Sequence, residues 1–326
     1  MLVHEVLTMG RIGVDLYPEQ AGVPLGEVRT FAKSLGGSPS NVAVAAARYG
    51  RRAAVITRVG ADPFGEYLRS ALRDFGVDDR FVGVVPGLPT PVTFCELFPP
   101  DHFPLYFYRY PKAPDLMIHE SELDLDAIRS AAIFWVTGTG LSTDPSRSAT
   151  LAALSARSRP DASSAAAGSL RRATVFDLDW RPMFWDSDPR PWYAEALRHA
   201  TVAVGNLDEV EIAVGTRDPA AAAAALLAHG VELAVIKQGP AGVAAYRRDA
   251  TAYAKPCEIE VVNGLGAGDA FGGALCHGLL AGLDLTETIH FANAAGALVA
   301  SRLACADAMP TEPEVRELLR AGAGHG

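Results

Sequence analysis

Short apolar runs that end in glycine and polar residues recur along most of this 326-residue chain. Val3 to Met9 leads into Gly10-Arg11-Ile12-Gly13-Val14-Asp15, and Ala53 to Val59 leads into Gly60-Ala61-Asp62-Pro63. Ala132 to Thr137 ends at Gly138-Thr139-Gly140, and Thr174 to Leu178 ends in Asp177-Leu178-Asp179-Trp180-Arg181-Pro182. Thr201 to Gly205 is followed by Asn206-Leu207-Asp208-Glu209, and Leu233 to Ile236 by Lys237-Gln238-Gly239-Pro240-Ala241-Gly242. Helical patterns over Glu66–Phe75, Pro145–Arg157 and Ala220–Ala225 separate the runs. That alternation predicts an α/β fold with a central, mostly parallel sheet flanked by helices. In such sheets, ligands bind beyond the C-terminal ends of the strands. The length allows one large domain or two; with no internal repeat, the chain reads as one domain over 1–326.

Phe81 to Pro111 breaks the alternation, being rich in Pro, Phe, Tyr and Thr. Thr93–Phe98 and Leu105–Arg109 read as a hairpin pair. With the turn-rich stretch before Phe31, they predict a small β lid built from about 12–32 and 88–112. Gly36-Gly37 precedes an Ala-rich helix that carries Asn41 in its first turn. Asp15 reads as a carboxylate gripping sugar hydroxyls or as a turn residue, and Asn41 as a polyol contact or a cap. The polar stretch Arg159–Ser164 reads as a loop.

The most chemically loaded stretch is Asn263-Gly264-Leu265-Gly266-Ala267-Gly268-Asp269. An apolar run, Ile259 to Val262, precedes it, and a small-residue helix over Ala270–Gly282 follows. A strand, a glycine turn and a helix start together make an anion site, because first-turn N–H groups are unpaired and the helix dipole adds positive charge. Asp269 would repel a phosphate. It reads as a base that takes a proton from a hydroxyl attacking that phosphate, or else as a helix cap.

A formal net charge of −9 argues against a nucleic-acid partner. None of the cysteines Cys95, Cys257, Cys276 and Cys305 forms a CxxC pair, so they read as buried reduced thiols, not as a zinc site. The start of the chain lacks a signal-peptide pattern, and no apolar run is long enough to span a bilayer, so a cytoplasmic protein without a membrane partner is expected.

In this order, Gly36-Gly37 with Asn41, Asn206-x-x-Glu209, Lys237-x-Gly239-x-x-Gly242 and Gly266-Ala267-Gly268-Asp269 resemble the ribokinase-like (PfkB) carbohydrate kinases across essentially the whole chain. The stretches Gly10–Leu25, Gly36–Gly50 and Thr93–Pro114 resemble the 5-dehydro-2-deoxygluconokinase branch, which serves inositol breakdown. 2-Keto-3-deoxygluconate kinases share the Tyr-x-x-Arg lid segment and the Asp177–Pro182 pattern. This resemblance implies ATP-dependent phosphorylation of the terminal hydroxyl of a sugar acid. Asp269 would be the base, with Gly266, Ala267 and Gly268 stabilising charge. Asp15, Gly36, Gly37, Asn41, Tyr106, Arg109 and Arg181 would bind substrate, and Arg suits a carboxylate because it grips one bidentately. Arg109 also reads as an edge-strand surface residue, and Arg181 as a partner of Asp177 or Asp179. Lys237, Gly239, Gly242 and Asn293 would face ATP. Asn206 and Glu209 would orient Mg2+ through water.

Asn263-Gly264 stands where many members carry Asp-Thr, so the chain gives no basis for assigning a monovalent-cation site. An exposed lid edge would offer pairing with a second subunit. Two rival readings are another sugar kinase of this fold, acting on 2-keto-3-deoxygluconate or a neutral ketose, and a catalytically silent sugar- or nucleotide-binding regulator; retention of Asp269 argues against the regulator. A nicotinamide dehydrogenase is disfavoured by the missing early GxGxxG.

Overall fold

A computed structural model describes residues 4–157 and 170–323; the loop read at Arg159–Ser164 lies outside them. In chain order, the first half holds β1 Val6–Met9, β2 Gly13–Pro18, β3 Phe31–Gly36, α1 Ser38–Arg48, β4 Ala53–Gly60, α2 Pro63–Asp74, β5 Val77–Asp78, β6 Val82–Val85, β7 Val92–Cys95, β8 Leu105–Tyr108, α3 Leu125–Ser130, β9 Ile133–Thr137 and α4 Ser146–Ala156. The second half holds β10 Ala173–Asp177, α5 Arg190–Leu197, β11 Val202–Asn206, α6 Leu207–Val214, α7 Pro219–Ala228, β12 Leu233–Lys237, β13 Val243–Tyr246, β14 Thr251–Ala254, α8 Ala267–Ala281, α9 Leu285–Ala300 and α10 Glu312–Ala323.

The large sheet runs β14-β13-β12-β11-β10-β9-β1-β4-β5, with β6 also on β4. All pairings from β12 across to β5 are parallel, and β13 and β14 add an antiparallel edge. Both faces are buried. Val6, Ile133, Trp135 and Val175 point into one core with α1, α8 and α9. Leu7, Phe134, Val136 and Phe176 point into the other with α3 to α7. Side chains alternate along a strand, so a continuous apolar run is what a doubly covered strand requires. The strand order reverses at β1, which lies between β4 and β9. A crevice opens there, beyond the strand ends.

A separate four-stranded sheet, β3-β2-β7-β8, lies over that crevice's rim; it contains the expected hairpin, now seen as antiparallel β7 and β8. β3 extends the expected lid to Gly36, because Asp15 pairs with Ser34 and Gly13 with Gly36. Tyr17, Cys95 and Leu97 of this sheet region pack on Cys305 of the core.

Ile259–Val262 is irregular backbone, which corrects the expected strand. It has no strand partner; the amides of Val262 and Asn263 donate instead to the Ala300 carbonyl at the end of α9, at 2.9 and 3.0 Å. α8 is long and nearly side-chain-free on the face that meets α1. A Cβ on Gly273 would fall 2.3 Å from Ala45 Cβ and 2.9 Å from the Ala46 amide nitrogen. Among the described residues no helix is long and apolar enough to cross a membrane.

Gly273→Ala therefore forces α1 and α8 apart. Overpacking of this kind costs ~1–3 kcal/mol, against a helix-propensity gain of at most ~1 kcal/mol. Thermal unfolding should show a lowered Tm; an unchanged or raised Tm would contradict the close helix contact.

Candidate active site

The N-termini of α1, α6 and α8 converge on one cavity of about 480 Å3 at the C-terminal ends of the parallel strands. α8 starts at Gly266, whose φ of +81° suits glycine alone, and no side chain caps it. Its first-turn amides are thus available to an anion. Asp269 sits inside the first turn and is not the cap, which removes that alternative. Asn41 Nδ2 donates to Asp269 Oδ2 at 2.8 Å. Burial raises the Asp269 carboxyl above its ordinary range, and hydrogen bonds from Asn41 and Ser38 only partly oppose this. A buried, raised carboxylate on a phosphate-friendly helix start is equipped to accept a proton.

Asp15 lies within β2, not in a turn, and faces the same cavity. Burial pushes its carboxyl up to about 7, against hydrogen bonds from Tyr17 and Thr93 and the charge of Arg11. Gly36 does not line the cavity; it makes room for Asp15, since a Cβ there would lie 2.1 Å from Asp15 Oδ2. Gly37 caps α1 with φ +97° and does line the cavity. Asn41 lies in the first turns of α1 beyond that cap.

Arginines form one wall. Arg109 lines the cavity and donates from Nη2 to buried Asp115 at 2.6 Å. Arg181 lies 3.5 Å from Asp179 through Nε, so the expected pairing is seen together with a place in the wall. Arg11 joins them, bonded to Thr139 and Asp179. Although burial would raise Asp179, Arg11 and Arg181 hold its carboxyl at about 2.

Lys237 ends β12, with Nζ 3.4 Å from the position a Gly268 Cβ would occupy. Burial would lower its ammonium, but Glu209, Asp177, Asp269 and Asp179 together raise it. Burial and neighbouring carboxylates push Asp177 well above its usual range. Asn206 and Glu209 form a reciprocal cap on α6: Asn206 Oδ1 accepts from the Asp208 and Glu209 amides at 2.9 and 3.0 Å, and Glu209 Oε2 accepts from the Asn206 amide at 2.7 Å. Both line the cavity, as does Gly239.

Besides Gly36, the expected contacts Tyr106, Gly242, Ala267 and Asn293 fall outside the cavity lining. Tyr106 shares the phenolic face of β8 with Tyr108, but that face points away from the cavity; Leu105, Phe107 and Arg109 line it instead. The Tyr106 hydroxyl donates to Glu96 at 2.9 Å. Gly242 serves the turn into β13, where a Cβ would strike the Ala254 carbonyl at 2.2 Å. Asn293 donates to the Lys255 carbonyl at 2.8 Å, pinning the segment after β14.

Arg11, Asp177, Asp179 and Phe184 are functional candidates that the motif reading passed over or read only as ion-pair partners. Asp177 ends β10, and Arg11 and Asp179 lie two residues past β1 and β10, so the end-of-strand rule could have found these three; Phe184 lies further along the loop after β10. Asn263 is fully buried and ties the loop before α8. Its Nδ2 donates to the Leu303 carbonyl at 2.6 Å and its Oδ1 accepts from the Leu265 amide at 3.0 Å. An ionised aspartate could not donate that first bond.

The raised Asp15 carboxyl has a pH consequence. Its folded value of about 7 exceeds the unfolded ~3.9, so the folded state binds more protons between those values. Its contribution therefore favours folding at low pH and is lost as pH rises from about 4 to 7. Asp15→Asn should gain a few kcal/mol relative to wild type on going from pH 5 to pH 8, read by thermal unfolding. A stability difference independent of pH would contradict the raised value.

Known proteins match this arrangement. Residues 3–312 match the family described as pfkB family carbohydrate kinase. A 5-dehydro-2-deoxygluconokinase of Clostridium tetani (strain Massachusetts / E88) is 30% identical over 97% of this chain and 93% of its own. Another, from Shouchella clausii (strain KSM-K16), is 32% identical over 97% and 95%. A candidate ribokinase II of Escherichia coli, solved in complex with ATP and Mg2+, superposes with a TM-score of 0.84 at 22% identity, covering 98% of this chain and 100% of that one. The chain is a member of the pfkB carbohydrate kinase family.

Proposed function

We propose that the protein transfers the γ-phosphoryl group of ATP to the terminal hydroxyl of a sugar acid, with 5-dehydro-2-deoxygluconate the substrate the similarities favour. The observation that carries this reading is Asp269, a buried carboxylate raised above its ordinary range and held by Asn41 beside the uncapped amides of α8. The relatives named above act, by name, on that acid, and that support extends the reading to a role in inositol breakdown.

In this reading the acid lies between the core and the four-stranded sheet, which serves as the lid. Asp15, Gly37 and Asn41 meet its hydroxyls, and Arg109 and Arg181 frame its charged end. Asp269 takes the proton from the attacking hydroxyl. Amides of Gly266, Ala267 and Gly268 then stabilise charge on the transferring group, while Lys237 balances the phosphates across Gly268. Closure of the lid excludes water, limiting ATP hydrolysis. Phosphoryl transfer needs little beyond this positioning and charge balance.

The donor set fits Mg2+ held chiefly by phosphate and water. Among the described residues no cluster of three or more His, Cys, Asp or Glu is arranged to cage a metal. Asn206, Glu209 and Asp177 offer hard oxygen or amide groups to its water shell. Bound Mg2+ supplies charge neutralisation on the phosphates. Free cysteines at Cys95, Cys257, Cys276 and Cys305 support a reducing, cytoplasmic setting; Cys257 is only partly buried. β8 is a lid edge strand with exposed Tyr106 and Tyr108, which supports pairing with a second copy.

A coupled kinase assay across 5-dehydro-2-deoxygluconate, 2-keto-3-deoxygluconate, fructose and ribose tests the reading. The first acid should exceed both neutral sugars in kcat/KM by ~10²-fold or more. Comparable turnover of fructose or ribose would overturn it.

A further inference from the structure

We infer that Arg11, on the loop leaving β1, is the specificity-determining contact for the substrate's carboxylate. This inference rests on the sugar-acid kinase reading above.

Arg11 is 7% exposed and lines the cavity. Its Nε donates to Thr139 Oγ1 at 3.0 Å and its Nη2 to Asp179 Oδ2 at 2.9 Å. Nη1 has no hydrogen-bond partner among the described residues. The guanidinium is thus fixed on two sides and open on the third.

Charge balance separates Arg11 from the other arginines of the wall. Arg109 is matched one to one by Asp115, at 2.6 Å and with both side chains buried. Arg11 and Arg181, by contrast, share the single carboxylate of Asp179, at 2.9 and 3.5 Å. Direct ion pairing thus leaves Arg11 and Arg181 one carboxylate between them, with Asp115 and Asp269 acting on Arg11 from further off. Arg181 Nε is also a buried donor without a hydrogen-bond partner. An anion docking here meets the unpartnered Nη1 of Arg11, whereas one docking on Arg109 must compete with its direct Asp115 ion pair.

The site is also pre-organised. The Phe184 ring lies 5.7 Å from the Arg11 guanidinium carbon and 5.1 Å from that of Arg109, and meets Phe107 edge-on at 4.9 Å. Thr139 Oγ1 donates to Asp179 at 2.8 Å and lies 3.1 Å from Thr137 Oγ1. Little side-chain freedom remains for a ligand to remove. The Arg11 charge is felt at both Asp15 and Asp269, so one small acid in this cavity can touch Arg11 while its far hydroxyl meets Asp269. A neutral hexose would leave Nη1 of a largely buried guanidinium without a charged partner, which is a basis for rejection.

The test is steady-state kinetics of wild type, Arg11→Gln and Arg11→Lys on 5-dehydro-2-deoxygluconate and on its uncharged C1 amide. Wild type should prefer the acid. In Arg11→Gln the acid-to-amide ratio of kcat/KM should fall about 10- to 100-fold, chiefly through KM for the acid, as loss of a charged hydrogen bond implies. Arg11→Lys keeps the charge and a bond to Asp179 but loses the planar fork; its ratio should fall about 10-fold, and it carries the test if Arg11→Gln does not fold. An unchanged ratio, with both substrates losing equally, would overturn the inference and leave Arg11 a structural support for Asp179. Wild type inactive on both compounds would instead refute the 5-dehydro-2-deoxygluconate reading on which the inference rests, and wild type active without acid preference would refute the sugar-acid reading.

Discussion

The contact between α1 and α8 governs the rest of the site. Two helix backbones can lie this close only where side chains are absent, at Gly273 against Ala45 and at Gly272 against Val42. Their approach brings the first turns of both helices to one crevice. Asn41 of α1 then reaches Asp269 of α8 at 2.8 Å. A packing constraint deep in the core thereby sets the orientation of a carboxylate at the surface of the cavity. The positive ends of both helices face the same volume, so the geometry that holds the base also prepares a place for phosphate.

Electrostatics divides that volume. Beside Lys237, burial and then the neighbouring carboxylates raise the Asp177 carboxyl, and Glu209, Asp177 and Asp269 raise the ammonium against its burial, a state that added positive charge would relieve. At the arginine wall, Arg11 and Arg181 hold Asp179 ionised despite its burial. One end of the cavity thus suits a metal–nucleotide complex and the other an organic anion. Asp269 lies between them. A kinase for an acidic sugar needs that polarity, because its two substrates are both anions and must be kept from repelling each other.

Much of the architecture was legible in the sequence because it rests on local patterns. Apolar runs ending in glycine and polar residues located the parallel strands, and the glycine-rich start of α8 located the anion site. The exceptions have a common cause. Ile259–Val262 has strand composition but no strand to pair with, so its amides turn to Ala300. Tyr106 lies on the wrong face of β8, and the period-2 pattern could not say which face met the cavity. Asn293 and Gly242 hold neighbouring segments that are distant in sequence. Arg11 is the instructive omission. A lone arginine after a first strand carries no motif, and its meaning comes from Thr139 and Asp179, which lie 128 and 168 residues away.

The central claim is that Asp269 accepts the proton of the attacking hydroxyl. Comparing kcat of wild type with Asp269→Asn tests it most directly. The substituted amide keeps the shape, and because the carboxyl is already raised by burial, folding should not suffer. The account predicts a loss of ~10²–10⁴ in kcat with the fold intact by thermal unfolding. A loss of only a few-fold in a folded protein would contradict it.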